Sequence, residues 1–365
     1  MCYNGNMIKG VIIMENFNGQ TNVNTNTVNQ PYSQAYPPPL PPEIAEEKRF
    51  KKWMYKIFGG NLLYDGIMLA VVIGISIVIS VIVMVVQIVM GKPESFYDDF
   101  MVWFENTDMG STIAVIIACF FLALFMRKVI GFREIFTKRK SMNIKSFFII
   151  LSVFMGGQLV FTMLGDGFES LLNLIGFSAM EAIESASAGS ESVSMMIYAG
   201  FAAPIFEEIV FRGFMMQSFE KTGVGKGYAI LISSIMFGVM HGNFVQAPFA
   251  FAVGLVLGYT AMEYGVKWSI LLHFLNNFVF GDVLLFILER LPENAAEIIE
   301  TTIFIAFAVI AVILLIVKRK SVAAYVKENY KTPKKYYKWT LTNPLFIVFC
   351  VVYFAMSFTT ITRIG

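Results

Sequence analysis

The chain of 365 residues is 56% hydrophobic and only 15% charged, with a mean hydropathy of +0.65 and a formal net charge of +2. Soluble domains carry about 25% charged residues, so this composition excludes an ordinary soluble protein and predicts one that crosses a membrane several times. The three cysteines, Cys2, Cys119 and Cys350, are far apart. Such an odd, unspaced set predicts neither a disulfide framework nor a CxxC metal site.

Two segments precede the first apolar run. Residues 1–47 are rich in Asn, Gln, Tyr and Pro, with a proline run at 37–42, and have too little apolar sequence for a core, so we predict a disordered cytoplasmic tail. Met14 is an alternative start to Met1. Residues 48–60 interleave basic and aromatic side chains. This pattern predicts a basic amphipathic helix on the inner membrane surface, and its position beside a span disfavours nucleic-acid binding.

Residues 61–365 contain nine apolar runs that approach the length of about 20 residues needed to cross a bilayer. The fifth and sixth are the shortest. The runs lie at roughly 62–90, 111–130, 146–165, 193–217, 227–244, 247–263, 267–288, 301–317 and 344–362. We therefore predict an all-α, polytopic transmembrane helix bundle of eight or nine spans.

Loop charges predict how these spans are oriented. The loops after the second and eighth spans, residues 127–145 and 318–338, carry seven and eight basic residues against one acidic residue each. The loops after the first, third and seventh spans are acidic. The positive-inside rule then places the N-terminus in the cytoplasm. We expect a multi-pass protein of the plasma membrane, and the frequent Asn, Gln and Lys residues suggest a bacterial source.

The fourth span carries three ionisable residues, Glu207, Glu208 and Arg212, in an otherwise apolar run. A charge near the bilayer centre costs about 2.5–3.5 kcal/mol on insertion scales. Glu208 and Arg212 are four residues apart on one helix face, so we predict that they pair. Glu207 lies about 100° around the helix from Glu208 and is left for another role.

The chain has two histidines, and each lies in an apolar run after this span. His241 follows Phe237 by one helical turn, and His273 precedes Asn277 by one turn, so each pair shares a face. Facing inward, three helices would bring a carboxylate, two imidazoles and an amide into one polar pocket. Asp65, Gln87 and Gln158 also lie in apolar runs, but the sequence suggests no role for them.

Two kinds of chemistry suit such a pocket. Glu207 can act as a general base on a water with help from His241, while His273 and Asn277 donate hydrogen bonds to a developing oxyanion. Alternatively, Glu207, His241 and His273 bind Zn²⁺ or another divalent metal with an open fourth position. The sequence does not choose between these alternatives. It contains neither an HExxH helix nor a G-x-S-x-G nucleophile motif.

Three motifs succeed one another on separate spans. They read Glu207-Glu208-x-x-x-Arg212, Phe237-x-x-x-His241 and His273-x-x-x-Asn277. Over roughly residues 195–280 this series resembles the CPBP family of intramembrane proteases, which includes the type II CAAX prenyl endopeptidases and the bacteriocin-immunity (Abi) proteins. The resemblance implies that Glu207, both histidines and Asn277 are catalytic, supported by the Glu208–Arg212 pair. Asn276 fits the family's pattern less well than Asn277 does.

We therefore expect an intramembrane endopeptidase, possessing a glutamate or metal mechanism, that cleaves a membrane-associated, prenylated or other peptide substrate. Its partners would be the lipid bilayer and that substrate. A transporter or proton-relay protein is the first alternative, because intramembrane Glu, His and Arg also mark ion pathways. However, the chain lacks the inverted repeats typical of transporters. A non-catalytic immunity protein of the membrane is the second alternative.

Overall fold

The computed structural model describes residues 41–364 except 94, 108 and 188–191. Helices dominate this part of the chain, because backbone groups in hydrocarbon must be hydrogen-bonded within their own segment. In chain order they are α1 (Pro42–Met90), α2 (Ser95–Asn106), α3 (Met109–Met126), α4 (Ile144–Asn173), α5 (Met180–Ser187), α6 (Val193–Lys221), α7 (Lys226–Met240), α8 (Gln246–Tyr264), α9 (Val266–Leu288), α10 (Glu293–Asn329), α11 (Lys334–Leu341) and α12 (Pro344–Phe358).

Three short elements outside these helices complete the described structure. A 3-10 turn, Glu134–Phe136, lies between α3 and α4. The strands β1 (Phe177–Ser178) and β2 (Thr362–Arg363) pair antiparallel, with Phe177 opposite Arg363. This pair joins the end of the chain to the α4–α5 connection.

Six of the described helices are long and apolar enough to cross a membrane: α1, α3, α4, α6, α9 and α10. A seventh span results if α11 and α12, which are bent by 62° relative to each other, count as one. The structure thus confirms a polytopic bundle, and each of the nine predicted runs is helical. The fifth run, α7, has 15 residues, or about 22 Å, which is less than the hydrocarbon thickness of about 30 Å.

Helices α7 and α8 form a hairpin in the interior of the described bundle, and α7 is buried along most of its length. Their packing is close at small residues: a Cβ atom on Gly254 would lie 3.1 Å from Cβ of Ser234, and one on Gly258 would lie 3.0 Å from Cγ2 of Ile230. Because protein surrounds it, α7 does not need the length of a lipid-facing span.

The N-terminal segments differ from the prediction. Residues 1–40 of the predicted tail lie outside the described residues, whereas 42–47 are already helical. Residues 48–60 are not a separate surface helix but continue into the first span as part of α1. Their apolar face is covered by protein: Phe50 and Phe58 are buried, and the Phe50 ring lies 4.9 Å from the ring of Tyr336 on α11. An amphipathic pattern does not distinguish a lipid surface from a protein one.

An ion-pair network holds one end of the bundle together. Lys140, before α4, and Lys226, at the start of α7, both pair with Glu263 near the end of α8. The Tyr325 hydroxyl of α10 donates to Glu263 at 3.2 Å. In the same region Arg139 pairs with Glu220 at 2.7 Å. The basic loop between α3 and α4 is thereby attached directly to α6 and α8, and through Glu263 it is linked to α7 and α10.

Candidate active site

The residues predicted to be catalytic meet in one cavity of about 560 Å³. Glu207 comes from α6, His241 from the residue after α7, and His273 and Asn277 from α9. Helices α4, α8 and α10 contribute further lining residues. The structure therefore brings all four predicted side chains together, although they are spread over 71 positions of the chain, from 207 to 277.

The two helices that carry most of these residues are not regular α-helices. Helix α6 is π-helical over Met196–Ala202 and Glu208–Met215, and α9 is π-helical over Leu275–Val283. Glu207 ends the short α-helical turn between the first two stretches. π-Helical turns recur at functional sites in proteins, because the changed hydrogen-bond register redirects nearby side chains. The i, i+4 spacing of an α-helix consequently does not describe the relation between His273 and Asn277.

Behind the cavity, Glu208 and Arg212 form the predicted ion pair, and neither side chain is exposed to solvent. Arg212 Nη1 donates to Glu208 Oε1 at 2.7 Å, and Nη2 donates to the Gly254 carbonyl at 3.4 Å. The guanidinium lies 4.0 Å above the Phe237 ring centre. This pairing neutralises two of the three charges of α6.

His273 lies between the two glutamates. Its Nδ1 is 3.2 Å from Glu208 Oε1, and its Nε2 is 3.9 Å from Glu207 Oε2. A carboxylate partner at Nδ1 favours a hydrogen on that nitrogen and so fixes the ring orientation. Glu208 therefore links the Arg212 pair to His273 and directs Nε2 toward Glu207. The Glu207 side chain is 20% exposed, so it combines a largely apolar setting with access to the cavity.

His241 is oriented by the main chain. Its Nδ1 donates to the Phe237 carbonyl at 2.8 Å, since a carbonyl oxygen can only accept. The neutral ring then has its lone pair on Nε2. The Phe237 ring packs edge-on against both imidazoles, with centres 5.0 Å from His241 and 5.8 Å from His273. Phe237 thus contacts His241, His273 and Arg212, which makes it the common packing partner of the site.

Three side-chain amides form a chain along one wall of the cavity. Gln158 Nε2 donates to Asn276 Oδ1 at 2.5 Å, and Asn276 Nδ2 donates to Asn277 Oδ1 at 3.0 Å. Asn277 Nδ2 then donates to the Ala199 carbonyl at 3.0 Å. Sequence reasoning assigned no role to Gln158, and the only signal for one was an amide within an apolar span.

Within the described ranges, no group of three or more His, Cys, Asp or Glu side chains is placed so that it could hold a metal ion. Glu207, His241 and His273 share the cavity but are not arranged as a ligand set, so we derive no step through a metal ion. The divalent-metal alternative stays a prediction.

Comparison with known proteins supports the resemblance seen in the motifs. The family described as type II CAAX prenyl endopeptidase Rce1-like matches residues 189–279. No curated protein and no solved structure matches the chain. The matched segment contains all four residues predicted to be catalytic, as well as the Glu208–Arg212 pair and Phe237, and the match points to CAAX-type intramembrane protease activity. Residues 189–279 of this multi-pass membrane protein are therefore similar to the Rce1-like family of type II CAAX prenyl endopeptidases, in agreement with the resemblance to the CPBP proteases.

Proposed function

We propose that this protein is an intramembrane endopeptidase in which Glu207 activates a water molecule for hydrolysis of a peptide bond. One observation carries the proposal: a carboxylate, two imidazoles and an amide line the same cavity inside a bundle of apolar helices. A purely structural role would account for Glu208 and Arg212, which form an ion pair. It would not account for Glu207, which is not part of that pair.

Glu207 is the proposed general base. Arg212 is occupied by Glu208, so the Glu207 carboxylate is available to accept a proton from water in the cavity. The His241 Nε2 lone pair can accept a hydrogen bond from the O–H that the water keeps, since Nδ1 donates to the main chain. The resulting hydroxide attacks the carbonyl carbon of the substrate.

His273 and Asn277 are the proposed donors to the oxyanion that forms. His273 would donate from Nε2 with both ring nitrogens carrying hydrogen, since Nδ1 faces Glu208 and Nε2 faces Glu207. Asn277 has one amide hydrogen on Ala199 and a second that remains available to a substrate. Loss of one such donor costs about 2.7–4 kcal/mol of transition-state stabilisation in a known case. Glu207 then passes its proton to the leaving nitrogen as the C–N bond breaks.

The cavity lining suggests the substrate class. Phe161, Phe249 and Phe280 supply apolar surface, which suits a membrane-associated peptide, prenylated or not. Its charged lining residues are the carboxylates of Glu207, Asp166, Asp282 and Glu300, and no described lining residue is Lys or Arg. A neutral or basic peptide segment is therefore favoured over an anionic one.

We also propose that the basic end of the bundle faces the cytoplasm of a bacterial cell. The basic α3–α4 loop lies beside the start of α7 and the end of α8, as the contacts of Lys140 and Lys226 with Glu263 require. The alternation of the helices is therefore compatible with the positive-inside rule. The N-terminus would then be cytoplasmic.

The test is cleavage of a fluorogenic, lipid-modified peptide library that varies in charge, by detergent-purified wild type and Glu207→Gln. Glu297→Gln replaces an exposed carboxylate of α10 and is the matched control. We expect Glu207→Gln to lower kcat by about 100-fold or more, and Glu297→Gln to behave as wild type. Metal content and chelator sensitivity, measured on the same samples, decide between the glutamate and metal mechanisms.

Two results would overturn the proposal. One is the absence of cleavage by well-folded wild type across the library, and the other is wild-type turnover by Glu207→Gln. In the first case, ion flux measured in liposomes would test the transporter alternative.

A further inference from the structure

The amide chain along the cavity wall joins three helices. Gln158 belongs to α4, Asn276 and Asn277 belong to α9, and Ala199 belongs to α6. Gln158 and Asn276 are 118 positions apart in the chain. All four residues line the cavity that also contains Glu207. Gln158 lies outside the segment that matches the protease family.

The direction of the hydrogen bonds in this chain is fixed from one end. The Ala199 carbonyl can only accept, so the Asn277 group facing it must be the NH₂ group. Asn277 Oδ1 then faces Asn276 and accepts from its NH₂ group. Asn276 consequently presents Oδ1 to Gln158, which must donate. Each amide therefore has one orientation that satisfies its neighbours. Gln158 is the first donor of the chain, because its NH₂ group donates to Asn276.

Asn277 needs such an external partner because its helix does not orient it. It lies in the π-helical stretch Leu275–Val283, where a regular α-helical register is absent. Its side chain is half-buried and is held by hydrogen bonds at both ends of the amide. Rotation of the Asn277 amide by half a turn about its Cβ–Cγ bond would exchange the positions of Oδ1 and the NH₂ group. The side chain would then present an oxygen to the oxyanion in place of a donor.

We propose that Gln158 is a positioning residue that acts through Asn276 to keep the Asn277 NH₂ group directed at the oxyanion. This role rests on the proposed function. Without the Gln158 donor, Asn276 is free to turn, and the orientation of Asn277 is then secured by Ala199 alone. A donor misplaced by about 1 Å can lower a rate by about 100-fold. A change at Gln158 can therefore affect turnover although Asn276 and Asn277 separate it from the substrate.

The kinetic test is a double-mutant cycle on the full-length protein with Gln158→Leu, Asn277→Ala and the double variant. Ser152→Ala, on α4 but outside the cavity lining, is the control. We expect Asn277→Ala to lower kcat by about 100-fold, as for loss of an oxyanion donor, and Gln158→Leu by about 10-fold with KM little changed. The double variant should match Asn277→Ala. Independent effects that multiply in the double variant, or wild-type kcat in Gln158→Leu, would refute the positioning role.

A second readout does not depend on activity. In protein labelled with ¹⁵N-asparagine, the side-chain NH₂ signals of Asn277 are identified by their loss in Asn277→Ala. We expect these signals to shift or broaden in Gln158→Leu and to stay in place in Ser152→Ala. Unchanged signals in Gln158→Leu would overturn the inference even if the protease activity is established. If the signals shift but the protein has no protease activity, the hydrogen bonds of the amide chain are supported and its role in catalysis is refuted.

Discussion

Replacing Arg212 by methionine tests whether the buried pair behind the cavity is held by charge balance. The change removes the 2.7 Å hydrogen bond to Glu208, the contact with the Gly254 carbonyl and the cation–π contact with Phe237. It leaves a carboxylate whose side chain has no solvent exposure. Removal of one partner from a buried pair costs about 3–5 kcal/mol of unfolding free energy. We expect a value near the lower limit, because His273 Nδ1 still lies 3.2 Å from Glu208.

The double variant Glu208→Leu/Arg212→Met should recover most of this loss. Apolar residues of similar volume often replace a buried pair without net cost. The wild-type pair is also imperfectly satisfied, since Glu208 Oε2 and Arg212 Nε have no hydrogen-bond partner within the described residues. We therefore expect the double variant to unfold within about 2 kcal/mol of wild type, despite the loss of the Glu208–His273 contact.

The assay is reversible unfolding in mixed micelles with increasing denaturing detergent, for wild type, both single variants and the double variant. Each single variant should cost about 3 kcal/mol or more and the double variant about 2 kcal/mol or less, so the coupling free energy between the two positions should be about 4 kcal/mol or more. A cost below about 1 kcal/mol for Arg212→Met, as for exposed pairs, would refute the reasoning. So would a double variant that is destabilised by the sum of the single effects.

Three further predictions concern packing and pH. Gly156→Ala should destabilise the protein, because the added Cβ would lie 2.8 Å from Cβ of Ala311 on α10. Gly157→Ala is the control, since the space around its Cβ is open, and thermal unfolding compares the two variants. Phe237→Leu should cost about 1–3 kcal/mol of stability and lower kcat at unchanged substrate KM, because the ring packs on both histidines; unchanged kcat would contradict this. The hydrogen bond from Lys221 holds the pKa of Glu134 below its usual range, so its stabilisation is present above about pH 4.5 and is lost at lower pH. Glu134→Gln should accordingly lower the melting temperature at pH 7, and its difference from wild type should shrink as the pH falls below about 4.5.

Sequence patterns predicted the parts of the structure that depend on local spacing. The nine apolar runs are helices, the i, i+4 pair of Glu208 and Arg212 forms, and Phe237 packs against His241 as one helical turn requires. Both histidines reach the same cavity as Glu207. Those predictions needed only helical geometry and the cost of unpaired charge in a membrane.

Other features depend on partners distant in the chain, which periodicity does not reveal. The hydrogen bond from Gln158 to Asn276 joins two spans, and either amide alone resembles an ordinary polar residue between helices. The apolar face around Phe50 shows that α1 needs a partner but not that α11 provides it. The π-helical stretches have no periodic signature, because a shift in hydrogen-bond register leaves the composition unchanged.

The buried pair also has a consequence for the order of membrane insertion. Helix α6 is the least apolar of the described helices that are long enough to cross the membrane. Its Glu208–Arg212 pair can form within the helix as it enters the bilayer. The other partners of this pair, the Gly254 carbonyl on α8 and His273 on α9, are translated after α6. Each unpartnered charge at the bilayer centre costs about 2.5–3.5 kcal/mol on insertion scales. Because Glu207 has no partner within α6, we expect this helix to stay near water or the translocation machinery during biosynthesis until α8 and α9 emerge.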